Sequence, residues 1–250
     1  MKLISARLLA LTLAFSGFLL SPQAQAQDVS VTPEERAKIE SVIKDFLKTN
    51  PGIVLESLQA HQDNQRAEME QQFTNTFKAK QDAILKEGHP TVGPETADVT
   101  IFEFYDYNCG YCKKAYSDVA QLVENDKNIR FVFIEMPILS ETSKDAARWS
   151  LAANKQGKFF EYHSALMKYT SQKDKQALEK LAKEVGMDVE QANKDADSKE
   201  VLEIIEKNMT LSRELGISGT PAFVINGQLT PGYMGYEGMK AAVADARKAN

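Results

Sequence analysis

Residues 99–112 read VTIFEFYDYNCGYC, and the reading of this stretch decides the fold. Val99 to Tyr107 alternates and is rich in aromatic and branched residues, which predicts a strand. From Cys109 to Asn125 the apolar positions Ala115, Val119, Leu122 and Val123 recur at helical spacing. Ile129 to Met136 is apolar at nearly every position, as a central strand covered on both faces would be. Strand, helix and strand at this spacing make a βαβ unit with a parallel sheet, hence an α/β fold.

Cys109 and Cys112 are the only two cysteines in the chain. A bridge closing so small a loop constrains the unfolded chain little, so stapling explains them poorly. Half of a zinc site would need two further ligands. The three histidines, His61, His89 and His163, form no closely spaced pair. Haem attachment needs His after the second Cys, and Lys113 stands there. Redox chemistry is the favoured use, given an exported chain and the βαβ context. Cys109 falls at the start of the predicted helix, where free N–H groups and the dipole favour an anion. Thiols in such motifs reach pKa values of about 3.5–7.5. Cys109 is therefore the expected nucleophile and Cys112, one turn further in, the less exposed resolving thiol.

Glu103 shares a strand face with Ile101 and Tyr105, while Phe102 and Phe104 face the other way. A carboxylate among apolar neighbours on a central strand is costly without a role. It is the candidate proton acceptor for Cys112; the plainer alternative is an edge carboxylate reaching water. Asp106 lies nearer to Cys109 in sequence and is expected to be solvated.

Working outward, the start of the chain has the layout of a secretory signal peptide, residues 1–26. Lys2 and Arg7 precede the apolar run Leu8–Leu20, and Ala24-Gln25-Ala26 supplies small cleavage-site residues. The run is too short for a membrane span of about 20 residues. Its removal takes away two positive charges and moves the net charge from -5 to -7. That balance disfavours nucleic acid, which needs clustered Lys and Arg. An exported, periplasmic chain meets conditions in which disulfides persist.

Residues 27–90 read as helical. Thr32-Pro33-Glu34-Glu35 is a helix start. Ile39, Val42, Ile43, Phe46 and Leu47 then share one face, and Asn50-Pro51-Gly52 breaks the helix. A second helical pattern runs from Ile53 to about Glu87, very polar in its middle. Its thin later stripe, Met69, Phe73, Phe77 and Ile84, suggests pairing with another chain; the alternative is a solvated helix lying on the main domain. Gly88 to Asp98 reads as a linker.

Residues 91–250 form the predicted main domain, with helical pattern throughout Glu141–Leu215 and joints at Gly157, Thr170–Lys173 and Gly186. Gly216 to Pro221 is a turn, Ala222–Ile225 a short strand, and Asn226-Gly227 a hairpin signal with Leu229 opposite. Gly235–Ala249 closes the chain as a helix.

The Cys-Gly-Tyr-Cys motif, followed far along the chain by Gly219-Thr220-Pro221, resembles the thioredoxin superfamily. FEFYDYNCGYCKKA is similar to the DsbA-like branch, with its acidic residue, here Glu103, six before the first cysteine. That resemblance implies a thioredoxin-like fold with a helical domain inserted at about 141–215. It also implies a cis bond before Pro221, with Thr220-Pro221 binding substrate backbone. Sequence statistics alone favour a trans bond there. TPEERAKIESVIKDFLKTNPGIVLESL resembles the ScsC-like subgroup, which implies a homo-oligomer formed through residues 27–90.

The resemblance makes the chain a thiol-disulfide oxidoreductase acting on protein disulfides, with Cys109–Cys112 as its redox-active pair. No cofactor or resident metal is implied, and a membrane partner resets the pair. Oxidising members of the family carry Pro-His between the cysteines; this chain has Gly110-Tyr111, similar to disulfide isomerases. Tyrosine brings no cation, so the disulfide is less oxidising. Thr220 also matches the isomerases, and its hydroxyl can donate to a cysteine sulfur. These features favour isomerase and reductase character. A dithiol oxidase is the alternative. A periplasmic copper-binding protein is another, since two thiolates suit Cu(I).

Overall fold

A computed structural model describes residues 31–249. The signal-peptide expectation for residues 1–26 lies outside them. The chain divides into two compact units, with the boundary between Leu58 and Gln59.

In the first unit, α1 (Pro33–Thr49) opens on a reciprocal cap. The Glu35 N–H donates to Thr32 Oγ1, and the Thr32 N–H donates to the Glu35 carboxylate at 2.9 Å. Asn50 ends the helix by donating its N–H to the Phe46 carbonyl, and α2 (Pro51–Ile84) starts immediately. No residue of α1 is buried. Ile39, Val42, Ile43, Phe46 and Leu47 are exposed, and so are Ile53, Val54, Leu55 and Leu58 at the start of α2.

The second unit is built on a five-stranded sheet in the order β1-β3-β2-β4-β5. The strands are β1 (Thr91–Val92), β2 (Val99–Tyr105), β3 (Ile129–Glu135), β4 (Ala222–Ile225) and β5 (Gln228–Pro231). β2 and β3 are parallel, connected through α3 (Gly110–Asn125); the other pairings are antiparallel. The residues between β3 and β4 form α4 (Glu141–Lys155), α5 (Phe159–Lys168), α6 (Lys175–Glu184), α7 (Val189–Ala196) and α8 (Lys199–Glu214). The last helix is α9 (Gly235–Ala249).

Strand alternation sorts the side chains onto two faces. Ile101, Tyr105, Phe131, Phe133 and Phe223 pack under α3, α9 and the helices α4–α7. Phe102, Phe104, Val132, Ile134 and Val224 face the other way, against α8 and α2. Phe73, Phe77 and Ile84 of α2 are buried there, and the Phe77 ring meets Phe102 edge-on at 5.0 Å. Phe73, Phe77 and Ile84 of the later α2 stripe thus cover the chain's own sheet, while Met69 stays exposed. The pattern required a partner surface, and two aromatic-rich strands supplied one nearer than another chain.

The Gly88–Asp98 stretch contains a strand where only a linker was expected. β1 adds two residues to the edge of β3, too few to show alternation. Gly93 closes it at φ +87, where a Cβ would stand 2.0 Å from the Ile129 carbonyl oxygen, so glycine is required. At the other edge, Asn226 and Gly227 both take positive φ, which makes the tight turn joining β4 to β5. Leu229 pairs with Val224 as expected. The result is a mixed α/β thioredoxin-like core with additional inserted helices.

Candidate active site

β2 is the central strand, flanked by β3 and β4. It ends at Tyr105, and Asp106 to Asn108 turn the chain into α3. The Asn108 N–H donates to Asp106 Oδ1 at 2.7 Å and the Cys109 N–H donates to the Asp106 carbonyl at 3.0 Å. This turn makes Cys109 the N-cap of α3, and its Sγ accepts the Cys112 N–H at 3.2 Å. Both cysteines are free thiols; Cys109 is 7% exposed and Cys112 is fully buried.

The second half of the site arrives from 111 residues later. The Thr220-Pro221 bond is cis, as the family resemblance implied and bare statistics did not. Cys109 Sγ donates to the Thr220 carbonyl at 3.2 Å. Pro221 in turn accepts the Gly232 N–H at its own carbonyl, at the open end of the β4–β5 hairpin, just before β4 and just after β5. Gly110 has open space around it, and Tyr111 projects into solvent at 65% exposure.

The two thiols are electrostatically unlike. A hydrogen bond from the Cys112 side chain does most to lower Cys109, which reaches about 6 despite its burial. The Thr220 side chain and the N–H groups of Cys112 and Tyr111 add to that lowering. The helix start thus acts through specific donors as well as through its dipole. Burial drives Cys112 the other way, far above an ordinary thiol, reinforced by its hydrogen bond to Cys109 and by the charge of Glu103.

Glu103 is 2% exposed, with Phe133 and Phe223 as its neighbours across β3 and β4. Burial raises its pKa to about 8, and the negative charge of Cys109 adds to the rise. The alternative of an edge carboxylate reaching water does not hold.

Asp106 corrects an expectation. It is 1% exposed, not solvated. Its carboxylate accepts the N–H groups of Asn108, Ile138 and Leu139 and the Ser143 hydroxyl. The loop leaving β3 folds over it and replaces the water. The Asp-Tyr-Asn sequence does carry a turn signal, because an Asp side chain bonds its own backbone two residues on. The distant donors leave no mark in that pattern.

A second polar group also escaped the sequence. Tyr105 donates to the Glu135 carboxylate, and Tyr107 reaches Ser150 Oγ at 2.7 Å and His163 Nδ1 at 2.9 Å. Burial raises Glu135 to about 8 and lowers His163 to about 3. His163, weighed above only as a metal ligand, is a neutral partner inside an aromatic cluster. Among the described residues, no group of three or more His, Cys, Asp or Glu side chains could hold a metal ion.

Known proteins place this geometry. The Na(+)/H(+) antiporter NhaA 1 of Salinispora arenicola is 31% identical over 157 residues, 62% of this chain. The chain spans only 24% of that antiporter's length. A thioredoxin-like oxidoreductase structure from Silicibacter pomeroyi is 41% identical and superposes with a TM-score of 0.64, covering 67% of this chain and 96% of its own. The compact conformation of Proteus mirabilis ScsC is 27% identical with a TM-score of 0.63, covering 84% and 96%. The family described as Thioredoxin matches residues 85–245, which take in both halves of the site. A pair of thiols and a proline so far apart in sequence meet because of that shared fold, and the chain belongs to the thioredoxin family.

Proposed function

We propose that the chain is an exported protein thiol-disulfide oxidoreductase of the ScsC-like subgroup, with isomerase and reductase character. The observation that carries this reading is the unequal pair: a lowered thiol at the helix start and a deeply buried one a turn below.

The Cys109 thiolate attacks a substrate disulfide. A Cys109–substrate S–S bond forms, the substrate S–S bond breaks, and the released substrate sulfur takes a proton. Cys112 then attacks the Cys109 sulfur, which frees the second substrate thiol and leaves a Cys109–Cys112 disulfide. For that step Cys112 must lose its proton, and Glu103 is the acceptor. The Cys109 charge raises Glu103. The mixed disulfide removes that charge, so the carboxyl becomes more acidic and can be ionised when Cys112 must give up its proton. Thr220-Pro221 and the exposed Tyr111 border the approach to Cys109 and bind substrate backbone, with Gly110 leaving room. A membrane redox partner returns the pair to dithiol.

The exposed apolar residues of α1 and of the start of α2 support a homo-oligomer formed through residues 27–58, a narrower range than residues 27–90. Several linked catalytic domains raise the effective concentration at a misfolded substrate. The periplasm is the proposed location.

Refolding of a scrambled-disulfide substrate tests the reading. The wild-type chain should restore native pairing, and Cys109→Ser should not. Equal recovery with both proteins would sink it. A pair found mainly as disulfide in freshly isolated periplasm would instead favour the dithiol oxidase.

A further inference from the structure

Lys173 lies between α5 and α6 and is fully buried, as lysines almost never are unless paired. The two oxygens that accept its Nζ carry no full charge: Asn108 Oδ1 and the Tyr169 carbonyl, both at 3.3 Å. Burial, with the positive charge of Lys113 added, lowers its pKa to about 8. An ammonium is costly to keep in such a place, and the exchange steps do not use it. Its partners show what it holds. Asn108 immediately precedes Cys109, and Lys113 immediately follows Cys112. Lys113 Nζ donates to the same Tyr169 carbonyl, at 3.0 Å. That carbonyl stands at the C-terminal end of α5, where the helix dipole favours cations. Both ends of the Cys-Gly-Tyr-Cys turn are therefore tied to one oxygen, the leading end through Lys173.

Lys173 also decides which way the Asn108 amide faces. Asn108 Nδ2 donates to the hydroxyls of Ser140, Thr142 and Ser143 at the start of α4, at 2.9–3.0 Å. Hydroxyls take either role in a hydrogen bond, so they would accept the amide turned over as well. An ammonium only donates, so it admits the oxygen and rejects the amide nitrogen. The turn that follows carries the Cys112 and Tyr111 N–H groups, and Cys109 Sγ accepts the Cys112 N–H at 3.2 Å. We propose that Lys173 is a positioning residue for disulfide exchange: by fixing Asn108 against the Tyr169 carbonyl, it holds the turn so that these N–H groups stay aimed at the Cys109 sulfur. The proposal rests on the exchange chemistry given above and gives the inserted helices a part in it. The segment between α5 and α6 reaches the motif through this side chain and sets how well the reduced pair is stabilised.

The test is a double-mutant cycle on Lys173→Met and Asn108→Ala in the full chain. It is read by Cys109 thiolate absorbance against pH and by equilibrium with reduced and oxidised glutathione at about pH 7. Lys173→Met should lower the acid dissociation constant of Cys109 about five-fold. It should also move the glutathione equilibrium about four-fold toward the Cys109–Cys112 disulfide, because a thiolate formed less readily stabilises the reduced pair less. Asn108→Ala should do the same, and the double variant should go no further than either alone. Two effects that multiply in the double variant overturn the positioning role, because a cation acting directly on Cys109, or general structural damage, does not depend on Asn108. An unmoved titration in Lys173→Met overturns it as well. If Lys173→Met does not fold, Asn108→Ala decides in the same way: an unmoved titration there overturns the proposal. Failure of the exchange reading itself is distinguishable: wild type would then react with oxidised glutathione no faster than Cys109→Ser does.

Discussion

Glu103 and Cys109 pull the pH dependence of stability in opposite directions. Glu103 binds its proton more tightly in the folded chain, up to about 8, than an ordinary carboxylate. Between its ordinary value and 8 the native state holds more protons than the unfolded state, so this group lowers stability as pH rises. Cys109 is lowered to about 6, so from there to its ordinary thiol value it raises stability with pH. In Glu103→Gln the fall in stability between pH 5 and 8 should flatten by at most roughly 1.4 kcal/mol per pH unit, as denaturant unfolding of the reduced protein across that range would record. The same variant should slow resolution of a trapped mixed disulfide at least about ten-fold if Glu103 is the proton acceptor proposed above. A second residue-level prediction concerns the donor to Cys109. Cys112→Ala removes the hydrogen bond that does most to lower the thiol, so thiolate absorbance should titrate about one unit higher. Glu103 was legible in the sequence because alternation alone placed it on a buried face. Asp106 was not, because its burial is decided by donors at Ile138, Leu139 and Ser143, some thirty residues on.

At the scale of elements, α2 shows what an apolar stripe can and cannot say. The spacing of Phe73, Phe77 and Ile84 requires cover, and nothing in the helix names the covering surface. Phe102 on the facing strand does, and the two rings meet edge to face. Phe77 is fully buried, so Phe77→Ala should cost about 3–5 kcal/mol in urea unfolding. β2, α3, β3, the β4–β5 hairpin and α9 were readable because period, turn residues and glycines agree locally. β1 was hidden by its length: two residues carry no period, and its only trace is Gly93. There the close approach to the Ile129 carbonyl leaves no room for a methyl group. Gly93→Ala should destabilise by about 1–3 kcal/mol on backbone grounds alone.

At the scale of the molecule, the two units expose very different surfaces. The unit from Gln59 onward buries two apolar layers on either side of its sheet. The residues from Val31 to Leu58 bury none of their large apolar side chains. Apolar faces of that extent on two consecutive helices are a marker of association. Light scattering should give the chain lacking its first 26 residues a mass of several protomers. Removal of residues 27–58 should reduce it to one, with scrambled-substrate refolding falling several-fold and reactivity of Cys109 with small disulfides retained. A single-protomer mass for the longer chain would refute the oligomer.

The contact between Cys109 and Thr220 also has a bearing on biosynthesis. The cysteine pair leaves the ribosome 111 residues ahead of the segment that completes its surroundings. At roughly 5–20 residues per second that gap lasts several seconds. During it the βαβ unit can gather, but the Thr220 contribution to the lowered thiol is absent. The newborn chain therefore carries a cysteine pair whose Thr220-Pro221 wall has yet to arrive, and the surroundings that set its reactivity are complete only once that later segment is in place.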